Sequence, residues 1–328
     1  MVETGRLRRT SSEGQRERAM SSDLEQAPGT PGDSGDDSSG LAAFEQHRGL
    51  LFSIAYRMLG SVADAEDTLQ DAFIRWQRAS EVDVRSPKAF LVTIVSRLCI
   101  NHLQSARVQR EAYVGEWLPE PLVTEPRSNA SGILQVDESV SMALLLLLER
   151  LTPTERAVFL LHEVFDYTHV EIAAALNLSE ANCRQLLRRA QQHVRLARPR
   201  FKAPSREHTE LMERFSQAAG SGDMDRLISL LSSDVVMHTD GGGKAAALVL
   251  PIYGPDKVAR ASVYGLRKLM SLNVLQRIVE INGQPGIVSY QDGRPQSVFT
   301  VEARDGRIRA IYIVTNPEKL AHLPPPPS

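Results

Sequence analysis

Cysteine is almost missing from this chain: two residues in 328, Cys99 and Cys183, far apart and inside helical patterns. That excludes a disulfide framework and a zinc-type spacing, and it fits a reducing cytoplasm. A strong charge of either sign is missing too, since the formal net charge is -2. A polyanion-seeking protein would be basic throughout, so any nucleic-acid surface here must be local. No apolar run reaches the roughly 18 residues that span a bilayer, and the N-terminus lacks the apolar stretch of a secretory signal. The expectation is a soluble, cytoplasmic protein with no membrane partner, no metal and no cofactor. Its length suggests two or three domains.

Residues 1–40 contain no aromatic side chain and include "APGTPGDSGDDSSG". Such a segment buries too little apolar surface to offset its ordering entropy, and it reads as a disordered tail. A first helical domain is expected over 41–107. In "FEQHRGLLFSIAYRMLG" an apolar stripe ends at Gly60, and Ser61 then caps "SVADAEDTLQDAFIRWQRA". Asp64, Asp67 and Asp71 fall at helical steps on the exposed side of that second helix. Stacked carboxylates repel one another, so they suit either a covering basic partner or a merely solvated face. A third helix opens at Ser86-Pro87. Its polar side carries Lys88, Arg97, Asn101, His102, Arg107 and Arg110.

Over 108–136 the period fails. "EAYVGEWLPEPLVTEPRSNASG" holds three prolines and four glutamates and reads as a linker. It is an adhesive one, because Trp117 and Leu118 are poorly suited to water. A second helical domain is expected over 137–202, with its first helix starting at Asp137. Thr152-Pro153 with Glu155 marks a further helix start. Then "HVEIAAAL", the turn "NLS" and a helix capped by Ser179 form a helix-turn-helix. From Ser179 to Lys202 there are seven Lys or Arg and one acid, Glu180. That local excess in a near-neutral chain is an electrostatic footprint for phosphate. Leu186, Leu187, Ala190 and Val194 are its core positions, which leaves Arg184, Gln185, Arg188 and Arg189 for base edges.

"DAEDTLQDAFIRW", a basic helix, a linker and "LTPTERAVFLL…VEIAAALNLSEANCRQLLRRA" together resemble bacterial sigma factors of the extracytoplasmic-function group over about residues 41–200. The resemblance implies that core RNA polymerase is met through its clamp and flap regions. It places Asp64, Glu66, Asp67 and Asp71 in the clamp-docking segment. Lys88, Arg97, Asn101 and Arg107 would lie in the segment that opens and reads the downstream promoter element. The helix-turn-helix, with Arg184, Gln185, Arg188 and Arg189, would read the upstream element. Two departures stand out: Asn101 where the family often has Asp, and Gln104-Ser105 where an arginine pair is usual. "YVGEWLPEPL", "DGGGK" and "NPEKL" are further similar to the subgroup that ends in a SnoaL-like domain.

Residues 203–328 give an α+β pattern on their own. Two helices meet at Gly220–Gly222, "DVVMHTD" and "AALVLPIYG" read as strands, and "GPDKVARASVYGLRKLM" reads as a helix. Asn282-Gly283, Asp292-Gly293 and Asp305-Gly306 then separate antiparallel hairpin strands. An α+β cone of this kind often encloses a pocket, so an unknown small ligand there stays open. "DGGGK" is not a phosphate loop, because its glycine spacing is wrong and Ala245 follows the lysine. It reads as a flexible loop between two strands at the cone's mouth. His238 or Asp240 would be the candidate acid or base if the domain were catalytic. The fold class is therefore multidomain: two all-α domains, the second with a helix-turn-helix, and an α+β SnoaL-like cone. The expected function is a non-enzymatic sigma factor modulated in cis by that cone. The expected regulatory contact joins Trp117 and Leu118 to Asp240, Gly241, Gly242, Gly243, Lys244, Asn316 and Pro317. The alternative is a small-molecule-sensing DNA-binding regulator or a SnoaL-like enzyme.

Overall fold

Gly60 has φ +69 and ends the first helix, as its place in the sequence requires. In the computed structural model, residues 36–79, 84, 86–111, 113–124, 140–195, 205–272 and 274–326 are described. Helices α1 (Asp36–Leu59), α2 (Val62–Ala79) and α3 (Pro87–Glu111) form the first block. Ser61 Oγ accepts Asp64 N at 3.1 Å and caps α2. α1 starts at Asp36, so residues 36–40 of the expected tail are helical, whereas 1–35 lie outside the described residues. The physical reason is Trp76, whose Nε1 donates to Gly40 O at 2.7 Å and gives this turn a tertiary anchor.

The second block holds α4 (Met142–Leu148), α5 (Pro153–Glu163), α6 (His169–Leu176) and α7 (Glu180–Arg195). α4 does not begin at Asp137: residues 137–139 are outside the described set, and Ser141 is an extended N-cap that accepts Leu144 N. Capping boxes start α5 (Thr152 with Glu155) and α6 (Thr168 with Glu171). Asn177, left-handed at φ 55, ends α6, and Ser179 Oγ accepts Asn182 N at 3.2 Å to open α7. The two blocks share one apolar core, in which Leu51, Tyr56 and Val95 join Leu145, Val158 and Leu160. Arg156 crosses between them, donating to Met58 O at 2.5 Å and pairing with Glu149 at 2.7 Å.

The third block contains α8 (Ser205–Ser221), α9 (Met224–Leu230), α10 (Pro255–Met270), α11 (Pro317–Leu320) and strands β1 (Leu231–Asp240), β2 (Ile252–Tyr253), β3 (Leu275–Ile281), β4 (Gln284–Gln291), β5 (Arg294–Arg304) and β6 (Arg307–Val314). One sheet runs β2-β1-β6-β5-β4-β3. The three Asn-Gly and Asp-Gly pairs all adopt positive φ at both residues, the geometry that joins twisted strands through two-residue turns. The sheet is mixed, because β1 pairs parallel to β6 across the long excursion between them. The expected strand "AALVLPIYG" shrinks to Ile252–Tyr253; residues 241–251 form turns and loop instead.

Side-chain alternation gives this sheet two apolar faces. One, with Met237, Ile287, Val301 and Ile311, packs on Met212 and Phe215 of α8, Leu227 of α9 and Val258 of α10. The other, with Tyr290, Val298, Ala310, Tyr312 and Val314, receives Leu118 and Val123 of the linker and Met142 and Ala143 of α4. The linker thus lies between the third block and the helical ones.

Candidate polymerase and promoter surfaces and the interdomain seam

The acidic face of α2 divides on inspection. Asp67 and Asp71 are exposed, together with Ile74 at 45%. Asp64 is half-buried and lies 3.5 Å from His102 Nε2 of α3, while Glu66 accepts Arg48 Nη2 of α1 at 2.6 Å. Of the four carboxylates, two face solvent and two brace the bundle.

On α3, Lys88, Arg97 and Asn101 are exposed, and so are Gln104 and Ser105. The side chain of Arg107, and Arg198 past α7, fall outside the described residues. Arg97 is already engaged: its Nε donates to Ala175 O of α6 at 2.8 Å, across the two helical blocks. Lys88 Nζ lies 5.9 Å from the centre of the Tyr167 ring. On α7 the four expected positions Arg184, Gln185, Arg188 and Arg189 are all exposed, opposite buried Cys183, Leu187, Ala190 and Val194. Among the described residues, Arg184 has a local partner, Glu180 at 3.2 Å one turn back.

The seam is centred on Asp240. This carboxylate is fully buried and accepts four donors. Tyr113 Oη reaches Oδ1 at 2.6 Å and Gly242 N reaches it at 3.0 Å. Leu118 N reaches Oδ2 at 2.8 Å, and Lys319 Nζ pairs with Oδ2 at 2.7 Å. Lys319 also donates to Leu118 O, and its ammonium lies 4.0 Å from the Trp117 ring centre and 5.0 Å from that of Tyr113. Burial and the neighbouring Asp240 charge push the Tyr113 phenol far up, so it stays a donor. Asn316 caps α11 by accepting Glu318 N at 3.1 Å, Pro317 occupies its first turn, and Asn316 Nδ2 donates to Tyr113 Oη at 2.9 Å. Lys244 pairs with Glu318.

The glycines of "DGGGK" are there for close approach. A Cβ on Gly241 would meet Ala245 O, one on Gly242 would meet the Asn316 amide, and one on Gly243 would press on Val114 at 3.1 Å. So the loop is not free at the cone's mouth; it is packed against the linker. Asp240 is a buried structural ion pair, and His238 is bound to Glu116 at 2.8 Å and stacked on Tyr312.

Two members of the seam, Asn282 and Tyr56, escape the sequence reading. Asn282, at the β3–β4 turn, exchanges two hydrogen bonds with Leu122 and donates Nδ2 to Tyr56 Oη of α1 at 2.6 Å. Tyr56 in turn donates to Glu120 O at 2.6 Å. Glu120 accepts Ser61 Oγ at 3.0 Å and Val62 N at 2.7 Å, and so caps α2 from the linker. An Asn-Gly pair signals a turn and nothing about its partner, so no local signal reveals this contact. Tyr113, Glu120 and Lys319 lie within "YVGEWLPEPL" and "NPEKL", two of the motifs in the sequence.

The chain is similar to known proteins along most of its length. The Sigma-70 region 2 family matches residues 43–108, and Sigma-70, region 4 matches residues 141–194. The chain is 37% identical over 297 residues to the ECF RNA polymerase sigma factor SigJ of Mycobacterium tuberculosis, covering 87% of this chain and 94% of that protein. It is 30% identical to the probable ECF RNA polymerase sigma factor SigI of the same species, over 85% of this chain and 94% of the relative. The crystal structure of M. tuberculosis SigJ superimposes with a TM-score of 0.68 at 34% identity, covering 87% of this chain and 98% of the other.

Proposed function

Given that the chain belongs to the extracytoplasmic-function RNA polymerase sigma factors and so directs core polymerase to promoters, we propose that its third block holds the two DNA-reading blocks closed in the free protein. The observation that carries this reading is the Arg97–Ala175 hydrogen bond. It occupies a side chain of the downstream-reading helix with the backbone of the helix-turn-helix. A factor in that state cannot lay α3 and α7 on separate promoter elements at once.

Asp67 and Asp71, with Ile74 on the next turn, are the clamp-docking surface in this reading, and α7 presents Arg184, Gln185, Arg188 and Arg189 to the upstream major groove. Flap contact falls to the second block. The seam around Asp240 serves regulation and not catalysis, because every oxygen of that carboxylate is already spoken for. Tethering places the third block at an effective concentration of about millimolar beside the linker, so a modest interface suffices to keep it docked.

The test is binding of a promoter fragment by the free factor, followed by transcription with added core polymerase. Gly242→Val, which drives a side chain into Asn316 and Tyr113, should tighten promoter binding by the free factor. Core polymerase should narrow the difference. Equal promoter binding by the variant and the parent chain refutes the closed resting state.

A further inference from the structure

Among the described residues, nothing fills the groove between α3 and α6. A cavity of about 460 Å³ opens there, with Phe90, Val92, Leu161, Tyr167, Ile172 and Ala175 in its wall. That volume falls in the range of about 300–1,000 Å³ usual for small-molecule sites. The wall is mainly apolar, yet one polar atom in it is stranded: Tyr167 Oη is buried without a hydrogen-bond partner. Native structures rarely leave such an atom unpaired, and each case calls for a reason. Other polar groups of the wall have local hydrogen-bond partners. Thr93 Oγ1 donates to Ala89 O at 2.8 Å, and Ser86 Oγ accepts Ala89 N at 3.4 Å. Glu171 accepts Thr168 N at 2.8 Å and Thr168 Oγ1 at 2.7 Å.

The charges at the rim select against charged ligands. Hydrogen bonds from Thr168 lower the Glu171 pKa, so this carboxylate stays ionised, with the Lys88 ammonium close enough to stabilise it further. The two opposite charges offset each other. Burial and the Glu171 charge raise the pKa of the Tyr167 phenol, so its stranded group is a donor seeking an acceptor.

We infer that this cavity is a binding site for a neutral, largely apolar small molecule carrying one hydrogen-bond acceptor, which the Tyr167 hydroxyl receives. The inference rests on the closed resting state, because the wall is made jointly by the downstream-reading helix α3 and by α5 and α6 of the helix-turn-helix block. A ligand that needs both walls binds only while the blocks are packed, and by linkage it stabilises that packing. The molecule therefore acts as a brake on promoter engagement, at a site remote from the seam of the third block.

Prodan, a neutral naphthyl ketone with environment-sensitive emission, serves as the probe, titrated into the full chain. Saturable, blue-shifted emission is expected, together with weaker binding of a promoter fragment in its presence. Ala89→Leu and Ala175→Leu, which add bulk to the wall without touching the shared core, should abolish the emission change. Tyr167→Phe keeps the shape and should weaken the probe roughly two- to twelvefold, the worth of one net hydrogen bond. Absence of saturable binding, or equal binding by both filled variants, overturns the site. An unchanged affinity in Tyr167→Phe overturns the acceptor chemistry. Small-angle scattering of the probe-free chain reads the closed state separately: a compact profile without probe binding sinks only the ligand site, and an extended profile sinks both.

Discussion

Asp240→Ala is the sharpest perturbation of the seam. It removes the carboxylate 2.7 Å from the Lys319 ammonium, which is 7% exposed and otherwise touches Leu118 O and two aromatic faces. Breaking a buried pair by removing one partner costs about 3–5 kcal/mol, which is a shift of roughly 150- to 5,000-fold in the docking equilibrium. Lys319→Met should cost less, because Asp240 would keep its hydrogen bonds from Tyr113 Oη, Leu118 N and Gly242 N. Chymotrypsin reads the outcome, since Tyr113 and Trp117 both lie in the linker. When opening and reclosing outpace cleavage, the nicking rate tracks the open population. It should rise at least a hundredfold in Asp240→Ala, or until the open form dominates, and by a smaller factor in Lys319→Met. Nicking of Asp240→Ala at the parent rate, or faster nicking of Lys319→Met than of Asp240→Ala, refutes this account of the seam.

Three further outcomes are expected. Arg184→Ala or Arg188→Ala should cost about 1–3 kcal/mol of promoter binding and relax preference at one upstream base pair, as measured by competition between mutated promoter fragments. Reversing Asp67 and Asp71 to Lys should abolish co-purification with core polymerase; the same reversal at Glu66 should chiefly loosen its tie to Arg48 and show in thermal stability. Burial lowers the His208 pKa, and the neutral ring is bonded to Val301 O at 2.8 Å. The unfolded chain therefore binds this proton first, and stability present above about pH 6.5 should fall as pH drops through the lowered folded value. Thermal melts of the parent and His208→Gln from neutral to mildly acidic pH should converge; parallel curves would exclude the histidine.

Local chemistry made much of the architecture legible. The three Asn-Gly and Asp-Gly turns, the caps at Ser61, Thr152 and Ser179, and the polar face of α7 are set by residues within a few positions of one another. What escaped is tertiary. Parallel pairing of β1 with β6 is decided by the return of the chain some seventy residues later, which no periodicity records. "AALVLPIYG" reads as strand by composition, yet Thr239 Oγ1 binds both the N–H and the carbonyl of Leu248 and holds that segment as a loop. The adhesive quality of Trp117 and Leu118 was visible as an apolar excess. Their cover, an ammonium on one side and the outer sheet face on the other, was not.

The seam's chemistry differs from that of the sheet's other face, and the difference matters for release. Against α8, α9 and α10 the contacts are almost wholly apolar and tolerate small slips. Against the linker, apolar burial of Leu118 and Val123 is combined with directional bonds from Asp240, Lys319 and Asn282. Directional bonds in a water-poor interface fix one register, and they lose their strength together once water enters. Glu120 ties that seam to α2, because its carboxylate caps the helix while its carbonyl accepts Tyr56, the partner of Asn282. The start of α2, the helix proposed to dock on the polymerase, and the turn that clamps the linker are therefore three hydrogen bonds apart. A rotation of α2 on docking would disturb the cap at Glu120 first and the Asn282 clamp next. The apolar contacts of the third block's own core would stay as they are.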